Sequence, residues 1–183
     1  TIPQNLLEES IRVPALVSWP GVIEPGRVHE APVDHCDLFA TLLDAAGADV
    51  ERECEDAGSP GVSYLPTLRG EDQPWRRTQF CEYGNARMAR TGAAKLIRRW
   101  PGPNGRFRDE FYDLAADPRE RINAIDNPAH AAAVADLSER IDTYFARWED
   151  LAKTGTRIAD QPRCSNWMPW EATPEQVLAH RGE

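Results

Sequence analysis

The strongest indication of the fold class is the segment Glu8-Glu9-Ser10-Ile11-Arg12-Val13-Pro14-Ala15-Leu16-Val17-Ser18-Trp19-Pro20-Gly21. The residues from Ile11 to Ser18 form a short, continuous run of apolar and β-forming side chains. Such a run predicts a strand covered on both faces, as in a parallel or mixed sheet. Because this strand comes so early, with no preceding turn or cap, we expect the chain to be the later part of a larger protein. The following side chains should then lack part of their cover: Ile11, Val13, Leu16 and Val17.

Composition narrows the function classes. The chain has 183 residues, of which 41% are hydrophobic and 28% are charged, as is typical of a globular protein. No apolar run approaches the length needed to cross a bilayer, so we expect no membrane as a partner. The formal net charge of −9 argues against nucleic acid, because phosphate binding needs a basic surface.

The four cysteines are scattered along the chain at Cys36, Cys54, Cys81 and Cys164. Without a Cys-x-x-Cys pair, they give little support to a structural zinc site. One disulfide is an alternative, but the pattern favours free thiols.

A helix is predicted after Asp34, which can cap it, with Asp37 in the third helical position. Asp34-His35-Cys36-Asp37 is the densest cluster of side chains able to bind metal. Consecutive residues at a helix start point around the axis, so the four cannot all face one ion. We therefore assign the two aspartates to capping.

The residues from Ala48 to Pro60 are predicted to be an exposed loop, and Ser63 to Gly70 a short helical turn.

Four short strands are predicted at Gln79–Tyr83, Arg87–Thr91, Ala94–Trp100 and Phe107–Leu114. The segments between them are rich in glycine and asparagine, and strands at such close spacing indicate an antiparallel meander.

A long helix is predicted from Asn127-Pro128, a cap followed by proline at the first helical position. Its apolar stripe should pack across the sheet and consists of Val134, Leu137, Ile141, Tyr144, Phe145, Trp148 and Leu151. The proline-rich tail carries Trp167-Met168-Pro169-Trp170, which we expect to anchor it against a surface, with an aromatic wall for a ligand as the alternative. Thr173-Pro174-Glu175-Gln176 predicts a last short helix.

No catalytic centre can be read from the residues alone. The four histidines are far apart in sequence and lie in no triad motif. The sequence also lacks a nucleophile elbow, a Walker loop and a dinucleotide-binding fingerprint. We therefore predict no catalytic residue and no metal ligand in this chain.

Five landmarks in consistent order resemble the second half of the sulfatase family. The first is the opening stretch, similar to Glu-Glu-Ser-x-Arg-Val-Pro followed by Trp-Pro-Gly. The others run from residue 37 to 47, from 61 to 70, from Glu82 through Lys95-Leu96-Ile97, and from Phe111 to Asn123. Ala40 stands where the family usually has proline. The last thirty residues match no landmark.

This resemblance implies an α+β fold. It would comprise the end of an alkaline-phosphatase-like α/β domain in residues 1–75, and a small four-stranded antiparallel sheet packed by a long helix in 76–153. An extended tail with a short helix would occupy 154–183.

The resemblance also implies a chemistry whose parts are not in this sequence. Sulfatases use a formylglycine and a divalent cation, usually calcium, and their Cys/Ser-x-Pro-x-Arg and Gly-Asp-His-Gly motifs do not occur here. The family's active-site lysine before the Glu-Glu-Ser stretch is absent too, since the first lysine is Lys95. We therefore expect the chain to be inactive alone and to need the missing N-terminal part. The small sulfate ester would be the substrate of that whole protein.

The segment can still contribute to substrate selection. The turn after Glu82 carries Tyr83, Asn85 and Arg87, which we offer as substrate-binding residues at the pocket rim, because arginine suits anions. Ordinary hairpin roles are the alternative.

Two other functions stay open. The parent protein could hydrolyse a phosphodiester or a phosphonate monoester. The chain could also be a non-catalytic interaction or dimerisation module, with the acidic surface and the tryptophan-containing tail docking a partner or a second copy in a homo-oligomer.

Overall fold

The computed structural model describes residues 5–73, 78–102 and 107–160. Its helices and strands are α1 (Glu8–Ile11), α2 (His35–Ala45), α3 (Val50–Asp56), α4 (Leu65–Arg69), β1 (Gln79–Tyr83), β2 (Ala86–Arg90), β3 (Ala94–Arg99), β4 (Glu110–Asp113) and α5 (Ala131–Trp148). Two 3₁₀ turns lie on either side of α5: Pro128–His130 precedes it and Gly155–Asp160 follows it. No helix in the described ranges is long and apolar enough to cross a membrane.

The predicted meander is confirmed. The four strands form one antiparallel sheet in the order β1-β2-β3-β4. Strand β4 is shorter than predicted, because its ladder with β3 runs only from Ala94↔Asp113 to Ile97↔Glu110.

The sheet is covered on both faces. On one face α5 contributes Leu137, Ile141 and Phe145 to a cluster with Ala89, Leu96 and Phe111, so the predicted packing of the helix across the sheet is confirmed. Leu151 lies beyond the end of α5 and is exposed. On the opposite face, Leu6 packs with Ala86, Met88, Ile97, Tyr112 and Leu114. The segment around α1 therefore lies against the sheet from the side opposite to α5.

The predicted strand at 11–18 is wrong. Residue Ile11 ends the short helix α1, and residues 12–18 form no regular structure. A strand needs a neighbour to pair its backbone N–H and C=O groups, and the described sheet consists of β1 to β4 only. The predicted lack of cover is confirmed for Val13, Leu16 and Val17, which are 66%, 97% and 46% exposed. Ile11, predicted with them, is partly buried against the cluster around Leu6.

Helix α2 begins as predicted. The carboxylate of Asp34 accepts hydrogen bonds from the backbone N–H groups of Cys36 and Asp37, and Asp37 Oδ2 accepts from Asp34 N at 3.0 Å. This reciprocal capping box satisfies donors that the first helical turn leaves open.

The predicted loop at 48–60 is wrong in its centre. Helix α3 occupies Val50–Asp56, and the carboxylate of Asp49 caps it by accepting from Arg52 N. The acidic composition concealed a helix whose first turn carries Glu51 and Glu53, where the helix dipole favours negative charge. The turn predicted at 63–70 is confirmed as α4.

Cys36, Cys54 and Cys81 are in no disulfide, in agreement with the prediction. The predictions for Cys164, for the tryptophan-containing segment and for the last short helix concern residues outside the described ranges. The division into 1–75, 76–153 and 154–183 stays a prediction.

Candidate functional site

The hairpin between β1 and β2 carries the three predicted rim residues. Tyr83 pairs with Ala86 in the register, so Gly84 and Asn85 form a two-residue turn. Gly84 has φ 58°, a backbone conformation that favours glycine. The tight turn thus brings Tyr83, Asn85 and Arg87 to one end of the sheet.

The three residues differ in accessibility. Tyr83 is 57% exposed at the end of β1. Asn85 is buried, its Nδ2 donates to the carbonyl oxygen of Trp100 at 2.5 Å, and its own carbonyl accepts from Trp100 N at 2.9 Å. Asn85 therefore ties the turn to the end of β3, and Tyr83 is the one of the three that faces solvent.

Arg87 is buried and bound by groups of the chain itself. Its Nε donates to Glu82 Oε2 at 2.5 Å, and its Nη2 donates to Glu149 Oε2 at 2.5 Å and to Thr154 Oγ1 at 2.7 Å. The guanidinium also lies 4.1 Å from the centre of the Phe145 ring, a cation–π contact. Two carboxylates thus surround the cation that the sequence suggested for an external anion.

The same contacts fasten the segment after α5 to the hairpin. Glu82 Oε1 accepts from Gly155 N at 2.9 Å. Gly155 approaches Gly84 so closely that a Cβ atom there would overlap the Gly84 carbonyl oxygen. The hydrogen bond from Arg87 lowers the pKa of Glu149, so this carboxylate is ionised at neutral pH. Residues 149–155 therefore close over the turn as a charged clasp.

A cavity of about 290 Å³ lies beside the clasp. Its lining combines aromatic and charged side chains, among them Tyr144, Trp148, Glu149 and Lys153. Across the described residues, no group of three or more His, Cys, Asp or Glu side chains is placed to hold a metal ion.

Helix α2 has an unusual distribution of polarity. Its buried residues are Asp37, Ala40 and Thr41, whereas Leu38 and Leu42 are 44% and 60% exposed. Asp37 Oδ1 accepts from Val62 N at 2.9 Å, and Thr41 Oγ1 accepts from Tyr64 N at 3.0 Å. The helix thus binds the 61–64 segment through polar groups and turns Leu38 and Leu42 outward.

The segment that precedes α2 also exposes apolar side chains. Residues 15–33 surround an open cavity of about 650 Å³ together with Tyr64, Thr67 and Leu68. Trp19, Val22 and Val28 of this segment are 37%, 36% and 82% exposed. We call the outward side of α2 and the exposed side chains of residues 13–28 the open apolar surface.

Sequence reasoning missed the charged contacts that connect distant segments. In the sequence, Glu8, Glu82 and Lys95 are only parts of the sulfatase-like landmarks. Nothing in their spacing indicates which side chains they contact. The ionic partners of Lys95 are Glu8 and Glu120, and Glu149 is a partner of Arg87. The one available signal was the position of Lys95 inside a predicted strand, because a lysine there must either face solvent or find a buried partner.

Comparison with known proteins gives consistent similarities. The chain is 30% identical to Delta 4,5-hexuronate-2-O-sulfatase from Bacteroides thetaiotaomicron, over 90% of this chain and 34% of that protein. It is also 30% identical to choline-sulfatase from Rhizobium meliloti, over 97% of this chain and 35% of that protein. The chain therefore spans about a third of the length of these curated relatives.

The fold agrees with a solved structure. yidJ from Bacteroides fragilis matches 78% of this chain and 30% of its own, with a TM-score of 0.56 and 16% identity, which concerns the fold alone. The fold and the similarities define the class as the C-terminal region of sulfatases. The chain belongs to the family described as N-sulphoglucosamine sulphohydrolase, C-terminal, whose model matches residues 4–147.

Proposed function

We propose that this chain is the C-terminal part of an enzyme that hydrolyses sulfate esters, and that it supplies scaffold and pocket rim but not the reacting groups. Family membership and the names of the relatives support the reaction class. The coverage of about a third of each relative supports the division of roles, because the relatives contain a long region that this chain does not.

The observation that carries the proposal is the open apolar surface. Leu38 and Leu42 lie four residues apart on one side of α2 and are both exposed, while Asp37 and Thr41 are buried. Exposed apolar area costs about 25 cal/mol per Å² relative to burial, and neighbouring exposed apolar side chains, such as a pair four residues apart on a helix, commonly mark an interaction surface. The partner that fits this surface is the preceding part of the same protein.

The reacting groups belong in that partner. The family resemblance implies that a formylglycine would supply the nucleophile and that calcium or another divalent cation would bind the sulfate oxygens. Both would be held by residues of the preceding part.

Within this chain, the rim role is assigned to the β1–β2 turn. Tyr83 is exposed and suited to contact a substrate, whereas the buried contacts of Asn85 and Arg87 suit them to hold the turn in place. The predicted set of Tyr83, Asn85 and Arg87 thus divides into one contact residue and two positioning residues.

The test is sulfate release by the protein encoded with its upstream sequence. We expect that protein to release inorganic sulfate from 4-nitrophenyl sulfate and the 183-residue chain alone to release none. Faster hydrolysis of a phosphonate monoester than of the sulfate ester would replace the proposal by the phosphonate alternative. A reading frame that begins at this chain, or sulfate release by the chain alone, would contradict the division of roles.

A further inference from the structure

Lys95 is a cation among the largest fully buried side chains of the described residues, and it is 0% exposed. It extends from β3 on the face opposite to α5, next to Leu6. Its Nζ donates to the Leu6 carbonyl oxygen at 2.9 Å and lies 2.7 Å from Glu8 Oε1 and 2.6 Å from Glu120 Oε1. One ammonium group therefore connects β3, the segment around α1 and the loop after β4.

Glu120 holds this position at a conformational cost. Its φ is 53°, and it is the one described residue other than glycine with positive φ. This region is sterically disfavoured for a non-glycine residue, which persists there only where surrounding contacts enforce it. Its Oε2 accepts from Glu8 N at 2.6 Å, while the contact of Oε1 with Lys95 is ionic, without hydrogen-bond geometry.

Arg90 completes the centre. Its Nε and Nη2 donate to the two carboxylate oxygens of Glu8 at 2.9 and 3.1 Å. Two cations, Lys95 and Arg90, thus meet two anions, Glu8 and Glu120, and the formal charges cancel. The side chains of Lys95 and Glu120 are buried and those of Glu8 and Arg90 are partly exposed. Removing one member of such a cluster is destabilising, because it leaves an uncompensated charge.

The segment held by these contacts has little structure of its own. Helix α1 has four residues, far fewer than an isolated helix needs in water. Its apolar attachment consists of Leu6, with Leu7 and Ile11 partly buried beside it.

We propose that the buried centre of Lys95, Glu8, Glu120 and Arg90 is an electrostatic latch that orders residues 6–12 on the C-terminal sheet. When the latch is incomplete, these residues leave the sheet as a unit while β1 to β4 and α5 stay folded. The latch thereby fixes the direction in which the chain leaves the sheet toward the open apolar surface. This inference concerns the 183-residue chain itself and does not depend on the reaction.

The test is amide hydrogen exchange, followed by NMR, on the full chain. The reporters are the amides of Glu8, Ile11 and Arg12, which donate to Glu120 Oε2, the Leu7 carbonyl and the Glu8 carbonyl. In Lys95→Met we expect these amides to exchange about 100-fold faster or more, because one partner of a buried ion pair is lost. The amides of Met88, Ile97 and Ile141 should keep most of their protection.

Two further variants keep the test decisive. Glu120→Gln has the same shape and a smaller risk of unfolding, and it should release the same three amides. Arg98 lies on the same strand as Lys95, and Arg98→Met removes its ion pair with Asp142 of α5 near the surface. This variant should not change the exchange of the three amides.

Two results would overturn the latch. Unchanged protection in Lys95→Met and Glu120→Gln would mean that the packing of Leu6 alone holds the segment. Equal loss of protection in residues 6–12 and in the sheet would mean that the centre stabilises the whole fold and not this segment.

Discussion

Arg87 and Glu149, 62 residues apart in sequence, form an ion pair of 2.5 Å between β2 and the segment after α5. The arginine side chain is 7% exposed and the glutamate side chain 22% exposed. The pair therefore lies at the edge of the core, where the charges are partly desolvated. Its contribution to stability there depends on its geometry. It makes the hairpin turn and the end of α5 one structural unit.

The first prediction concerns Arg87→Met. Loss of the guanidinium leaves Glu82 and Glu149 without their cation, and we expect the free energy of unfolding to fall by about 2 to 4 kcal/mol, since removal of one partner of a buried pair is strongly destabilising. Urea unfolding measures the change. Arg157→Met, which removes a long and exposed ion pair with Asp160, is the matched control and should alter stability by about 0.5 kcal/mol at most. Equal effects in both variants would contradict the clasp.

The second prediction concerns the close approach of Gly155 to Gly84. In Gly155→Ala the new methyl group would overlap the Gly84 carbonyl oxygen, so the segment must move away and lose the bond to Glu82. We expect a loss of about 1 to 3 kcal/mol, as for other overpacked sites. Gly92→Ala is the control, because a Cβ atom at Gly92 meets no heavy atom within 4 Å. A thermal unfolding midpoint unchanged in Gly155→Ala would show that the segment is not held there.

The third prediction is a dependence on pH. Burial alone would raise the pKa of Glu8, but hydrogen bonds from Arg90 and Lys95 outweigh it and leave the pKa below its ordinary value of 4.5. Because the unfolded chain then binds a proton more readily than the folded one, the contribution of Glu8 is present above pH 4.5 and is lost as the pH falls through the folded value.

Urea midpoints measured from pH 6 down to about pH 3 should therefore fall less steeply in Glu8→Gln than in the wild type. Glu9→Gln removes a neighbouring, exposed carboxylate and should keep the wild-type slope. Identical slopes in all three proteins would contradict the ionised state of Glu8 in the latch.

The fourth prediction concerns the buried Asp37. Its two carboxylate oxygens accept from two different backbone N–H groups, those of Asp34 and Val62. In Asp37→Asn one acceptor becomes an NH₂ donor facing a donor, and we expect a loss of about 1 to 3 kcal/mol, the cost of an unsatisfied buried group. Asp49→Asn is the control, since Asp49 caps the exposed start of α3 and asparagine is an equally good cap. It should change stability by less than about 0.5 kcal/mol. Guanidinium unfolding of both variants provides the comparison.

The sequence predicted the local elements well where the signal was local. The ends of β1, the cap at Asp34 and the opening of the long helix region at Asn127 each depend on residues within a few positions of one another. The strand predicted at 11–18 failed for the opposite reason. A strand depends on a neighbour to pair with, and apolar composition alone cannot supply one.

The candidate site was harder to predict for the same reason. The turn pattern predicts the rim residues, but two of the three side chains that bind Arg87, Glu149 and Thr154, lie more than 60 residues later. The partners of Lys95 lie 87 residues before it and 25 residues after it, at Glu8 and Glu120. Contacts over such separations follow from the tertiary fold, so a single sequence contains no periodic signal for them.

The most direct measurement of the central claim is sulfate release by this chain combined with the preceding part of the same protein. We predict that the combined protein with the wild-type chain releases sulfate. With Leu42→Asp, which places a charge on the open apolar surface, the rate of release should fall tenfold or more, on the order of 1.4 kcal/mol. Ile122→Asp, at a residue 70% exposed after β4, should retain activity. Sulfate release that does not require this chain, or that is unchanged in Leu42→Asp, would contradict the account.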